Sequence, residues 1–186
     1  MRVTGAKPKP SGTTAELLVA AAAAEFAERG FDGTDSNRIA RRAGFAPQTF
    51  YRWFDDKTAI FVAVYGQWQL QELGVLQRLV AERAGSAQIA RHIIDHHVAT
   101  RIFRRSMRQL ALEEPAVRKA RAESRTRQIA AIRTLGCKLK PAEIAMRLMQ
   151  MERLSDAIAE GELVDLGLDD RATRLEVARL VDELRG

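Results

Sequence analysis

Between Pro47 and Lys57 the chain carries a dense run of side chains that can form directed hydrogen bonds: Gln48, Thr49, Tyr51, Arg52, Trp53 and Lys57. Gln can pair with adenine and Arg with guanine through two parallel hydrogen bonds, each worth about 1–3 kcal/mol of discrimination. Thr, Tyr, Trp and Lys suit sugar and phosphate oxygens. A second chemically capable pair is His92 and His96, four apart, a spacing that can hold a metal on one helix face. Only Asp95 lies near them in the sequence, and the helical period puts it on another face, so no metal is expected. No Gly-rich phosphate loop, nucleophile elbow or His-Glu-x-x-His helix is present, and neither an enzyme nor a cofactor is expected.

The hydrogen-bonding run needs a rigid support, and the residues before it provide one. From Asp35 to Phe54 the sequence reads as two short helices around a tight turn. Asp35 can cap the first helix, whose small apolar face is Ile39, Ala40 and Ala43. Gly44 ends it in a left-handed turn, and Pro47 suits the first turn of the next. There Phe50 and Phe54, four apart, face inward, while Gln48 with Arg52 and Thr49 with Trp53 point elsewhere. This is the layout of a helix-turn-helix with a recognition helix. Thr34, Ser36 and Asn37 fall at the start of the first of the two helices. There a hydroxyl or amide can meet a phosphate, aided by the helix dipole, or simply cap the helix.

At these residues the chain resembles the DNA-binding domain of the TetR family of transcriptional regulators. The matching pieces are Phe26-Ala27-Glu28-Arg29-Gly30-Phe31, Thr34, Ile39-Ala40, Ala43-Gly44, Thr49-Phe50-Tyr51, Phe54 and Lys57, in order over about fifty residues. Ala46 stands where the family usually has a Ser cap, a loss of about 1 kcal/mol. Gln48 stands where it often has Gly, which adds a side chain able to reach a base edge. The resemblance implies that Lys57 contacts the DNA backbone and that a homodimer binds a palindromic duplex. It also implies that a small molecule in a second domain releases the DNA, most often from a repressor.

Composition agrees with an all-α fold. Helix formers dominate, Pro is 5 of 186 residues, and no run alternates with period two. No apolar run is long enough for a membrane span, and a single cysteine, Cys137, excludes an intrachain disulfide; a reducing cytoplasm fits. The net charge of +6 is unevenly placed. Arg101 to Lys138 holds eleven Lys/Arg against three Asp/Glu, whereas Pro141 to Gly186 holds six against eleven. That basic stretch reads as a solvated face, an attraction for DNA phosphates or one for an anionic effector.

Residues 1–13, with Lys7-Pro8-Lys9-Pro10, are expected to be a disordered basic tail, either solvated or an arm onto DNA. Residues 14–64 would form the DNA-binding domain and 65–186 a helical effector-binding and dimerisation domain, joined by a long helix from about Thr58 to Arg83. On its first helix, Glu25 is expected to face water. Ile89, Ile93, His96, Thr100, Phe103, Met107 and Leu110 follow one face at spacings of four and three. They read either as core or, with Trp68 and Met146, as the wall of a pocket for a largely apolar molecule. The resemblance implies a dimer seam on the last two long helices, and their apolar rows supply Leu148, Met149, Met151, Val177, Val181 and Leu184. The alternative from another class is an all-α protein-binding adaptor whose helix-turn-helix is only structural.

Overall fold

The computed structural model describes residues 13–185, and among these the regular structure is entirely helical. The expected basic tail therefore lies outside the described residues except for Thr13. That residue caps α1 (Thr14–Arg29) in a capping box, accepting from the Glu16 N–H while the Glu16 carboxylate accepts the Thr13 N–H at 2.7 Å. Helix α2 (Ser36–Arg42) is capped by Asp35, which accepts from the Arg38 N–H at 2.8 Å. Gly44, at φ 83°, takes the left-handed turn to α3 (Pro47–Phe50), which starts at Ala46 without a side-chain cap. Helix α4 (Lys57–Ala81) then runs for 25 residues, about 37 Å, from an Asp56 cap.

The remaining helices are α5 (Ser86–Ala99), α6 (Arg101–Glu113), α7 (Pro115–Thr134), α8 (Pro141–Glu160), α9 (Glu162–Asp165) and α10 (Arg171–Arg185). None of the described helices is long and apolar enough to cross a membrane. The four-three stripe is not one helix. It breaks at Thr100, whose φ of −108° and ψ of 13° leave the helical region. No Pro or Gly marks the site; the Thr100 hydroxyl instead donates to the His96 carbonyl at 2.6 Å, a back-bond that bends helices. As a result α5 packs on α8 and α10, while α6 turns toward α1 and α7.

Two apolar cores follow from that turn. One joins Leu18, Ala22, Phe26, Ile39, Phe50 and Phe61 of the first four helices to Phe103, Met107 and Leu110 of α6. The rings of Phe61 and Phe103 stack with centroids 4.6 Å apart. The interior of the N-terminal helices is thus continuous with the helix after the break. The other core gathers Ile89, Ile94, Ile144, Met151, Val177, Leu180, Val181 and Leu184 from α5, α8 and α10. Met151, Val177, Val181 and Leu184 therefore face their own chain, and the seam expected of them is corrected: four of its six residues fill the core that holds α8 and α10 down. Met149 remains 55% exposed.

The charge asymmetry has a structural cause. Arg104, Arg105 and Arg108 of α6 and Arg121 and Arg125 of α7 pair with Glu152, Asp156 and Glu160 of α8. Basic and acidic helices are bound to each other side by side.

Candidate DNA interface and ligand cavity

On the N-terminal unit Phe50 is wholly buried and Phe54 partly so, fixing the short helix from within. Gln48, Tyr51, Arg52 and Trp53 are exposed beside them, and Pro47 and Thr49 are half-buried. Regular helix ends at Phe50, so Tyr51 to Trp53 form a turn continuing the same surface. Asn37 is exposed, and the Ser36 hydroxyl lies 2.7 Å from the Tyr51 hydroxyl, tying the start of α2 to the end of α3.

Two expected contacts sit differently. Thr34 is buried, and its hydroxyl donates to Glu25 Oε2 at 3.0 Å rather than facing a phosphate. The Lys57 ammonium donates to the carbonyls of Phe31 at 2.7 Å and Thr34 at 3.0 Å, over the Phe31 ring. It braces the α1–α2 loop. The hub of this unit is Glu25, 4% exposed, which also meets Arg42 at 2.9 Å and Arg29 and Arg38 at 3.4 Å. Burial pushes its carboxyl up, but the hydrogen bonds of Arg42 and Thr34 and the charges of Arg42 and Arg38 hold it below the usual range. The expectation that Glu25 faces water is corrected. The signal was present: Leu18, Ala21, Ala22 and Glu25 share one face by helical period.

The second feature is a cavity of about 420 Å³ walled by α4, α5, α6, α7, α8 and α10. Of the expected wall, Trp68, His96 and Met107 line it. Thr100 and Phe103 instead line a separate recess against α1, shared with Trp68, and Met146 is 65% exposed on the outside of α8. Leu148, Met149, Met151, Val181 and Leu184, expected at a dimer seam, line the cavity. Sequence reasoning missed Glu72 as a partner of the histidines: its Oε2 lies 3.3 Å from His92 Nε2 and 3.5 Å from His96 Nδ1. It comes from another helix, which a search along the sequence near the pair does not reach. Among the described residues no group of three such side chains could hold a metal.

Electrostatics differ across the cavity. His96 stacks on Trp68 with centroids 4.9 Å apart, and burial, then the charges of His97, Arg104 and His92, push it down to about 4. Burial likewise pushes the Glu72 carboxyl up, against the pull of His92 and Arg104. Glu152, facing Arg104, Arg121 and Arg125, is raised by burial, but the three guanidinium charges outweigh this and hold it low. His97, buried, meets Asp156 Oδ1 at 2.8 Å, and Arg104 Nε donates to the same oxygen at 2.8 Å.

Residues 18–64 match the family model of bacterial regulatory proteins, tetR family. No curated protein matches the chain. Many solved structures share its fold, among them these three. One, from Mesorhizobium loti and assigned to the tetR family of transcriptional regulators, is 19% identical over 92% of this chain and 94% of its own, with a TM-score of 0.67. The fatty acid degradation regulator FadR from Bacillus halodurans is 15% identical over 93% and 96%, with a TM-score of 0.63. FadR from Bacillus subtilis, solved in complex with stearoyl-CoA, is 18% identical over 89% and 96%, with a TM-score of 0.62.

Proposed function

We propose that this chain, a TetR-family regulator by its N-terminal domain and its all-α fold, is a repressor that binds a palindromic operator as a homodimer and is released by a small, largely apolar ligand. Pro47, Gln48, Thr49, Tyr51, Arg52 and Trp53 read or clamp the DNA, with Ser36 and Asn37 at phosphates and Lys57 setting the loop that presents them. One recognition helix covers few base pairs, so a dimer must place two of them about 34–36 Å apart or a multiple of that. Helices α8 and α10 carry exposed Met146 and Leu175, together with Met149, which also reaches the cavity, a surface suited to a second copy.

The observation that carries the ligand reading is that one helix serves both ends. Helix α6 contributes Arg104 and Met107 to the cavity wall and, from Ser106, holds the backbone of Phe31 beside the helix-turn-helix. Ligand that prefers a different seat for α6 shifts the population away from the DNA-competent form, by about 1–3 kcal/mol for ordinary coupling. The stearoyl-CoA complex of the Bacillus subtilis relative supports a ligand-holding use of this fold. The deciding experiment is to sequence genomic fragments retained by the purified protein and titrate the recovered duplex. Retention of a two-fold symmetric site by a dimer is expected. Random fragments bound by a monomer would sink the reading.

A further inference from the structure

The cavity has a charge that its ligand must answer. Its wall contains Arg104, Arg121, Arg125 and Arg185 against Glu72 and Glu152, four positive groups to two negative, while His96 and His97 are held neutral at pH 7 by burial. Asp156 behind the wall is matched by Arg108. Arg121 and Arg125 are the accessible part of the surplus. They lie one turn apart on α7, their side chains 33% and 23% exposed, and both point a nitrogen at the one carboxylate of Glu152. Among the described residues each gives a single hydrogen bond, which leaves most of the donors of each guanidinium free for another anion. The same wall also carries a set of carbon side chains: Leu76, Val80, Ile89, Ile93, Ile132 and Leu148.

We propose that the cavity takes an amphiphilic carboxylate, its head between Arg121 and Arg125 and its aliphatic chain along Leu76, Ile93 and Ile132. This rests on reading the cavity as the effector site and names the ligand's charge and amphiphilic character. A planar guanidinium grips a carboxylate through paired hydrogen bonds, and two of them one turn apart define a head-group seat. A cavity of about 420 Å³ lies within the range of small-molecule sites, roughly 300–1,000 Å³, and has room for the chain of a fatty acid. A carboxylate entering beside Glu152 competes for the same arginines. Because Arg104 of α6 shares Glu152, at 3.2 Å, that competition reaches the helix which holds the N-terminal unit.

The test is calorimetric titration of the full chain with decanoate, decanamide and decylamine, which share a chain and differ in head-group charge. Decanoate should bind at least about tenfold more tightly than either. Arg121→Gln and Arg125→Gln should abolish that preference with the helical content and melting temperature kept, which separates loss of the seat from loss of folding. Tightest binding by decylamine, or equal binding of all three, overturns the charge assignment. If decanamide or decylamine binds and frees the duplex while decanoate does not, the effector reading stands and this inference falls. If none of the three binds, this inference falls while the retained duplex still tests the regulator reading.

Discussion

The Ser106 hydroxyl accepts the backbone N–H of Phe31 at 2.9 Å, across 75 residues of sequence. Two positions earlier on the same helix, Arg104 is fastened to Asp156 and Glu152 of α8. A Cβ at Gly30, next to Phe31, would come within 3.1 Å of the Ser106 oxygen, so the two segments are in close apposition. Gly30 itself, at φ 70°, ends α1 in a conformation that suits glycine.

Ser106→Ala should therefore loosen the joint without unfolding the protein. The cost is about 1 kcal/mol, the net worth of one hydrogen bond. Hydrogen exchange at the Phe31 amide should speed up, with the melting temperature little changed. Unchanged protection at Phe31 would show that the bond holds nothing in place.

Gln48→Ala and Arg52→Ala should weaken specific duplex binding, each by about 1–3 kcal/mol if it pairs with a base edge. Both side chains are exposed and neither has a hydrogen-bond partner among the described residues, so thermal stability should stay put. Wild-type affinity for the recovered duplex in both variants would remove these residues from the reading surface.

Met149→Glu and Val181→Glu should part company. Met149 is 55% exposed, and a charge there should give a folded monomer by sedimentation, with lost operator binding. Val181 is 5% exposed in the inner core, where an unpaired charge costs several kcal/mol, so that variant should unfold. A folded monomer from Val181→Glu, or a dimer from Met149→Glu, would contradict this division.

Stability should fall on acidification between pH 6.5 and 4. His96 is held at about 4 when folded and near 6.5 when unfolded. Above pH 6.5 neither form is protonated and the group has no effect. Below it the unfolded chain takes up a proton that the folded one refuses, a loss that grows to roughly 3 kcal/mol. His97 is shifted the same way, while Glu72, raised by burial, acts in the opposite sense. Melting curves of His96→Phe, which keeps an aromatic ring against Trp68, should show a shallower slope over this window. An unchanged slope would rule out His96 as its source.

The helix-turn-helix was legible because its signals are local: the Asp35 cap, Gly44, Pro47 and the Phe50–Phe54 pair all act within a few residues. The same short range hid the rest. Thr100 breaks a helix through a side-chain bond that leaves no Pro or Gly to read. Glu72 meets His92 and His96 from another helix, and Arg121 and Arg125 meet Glu152 across two. Apolar periodicity correctly found Met151, Val177, Val181 and Leu184 on buried faces. It carries no information on whether the burying surface is the same chain or a second copy, and here it is the same chain.

The carboxylates gathered under the reading surface also bear on how it would respond to salt. Arg29, Arg38 and Arg42 look like phosphate ligands in a count of basic residues, but Glu25 and Glu28 already offset two of their three charges. Counterions condensed on DNA are released only by cations that replace them at phosphates. The slope of log affinity against log salt should therefore reflect Arg41, Arg52 and the few polar contacts around them, and be shallower than the arginine content of the domain suggests. If this surface reads DNA as proposed, more of its binding would lie in base contacts and less in ionic attraction, and it would hold its site over a wide range of ionic strength.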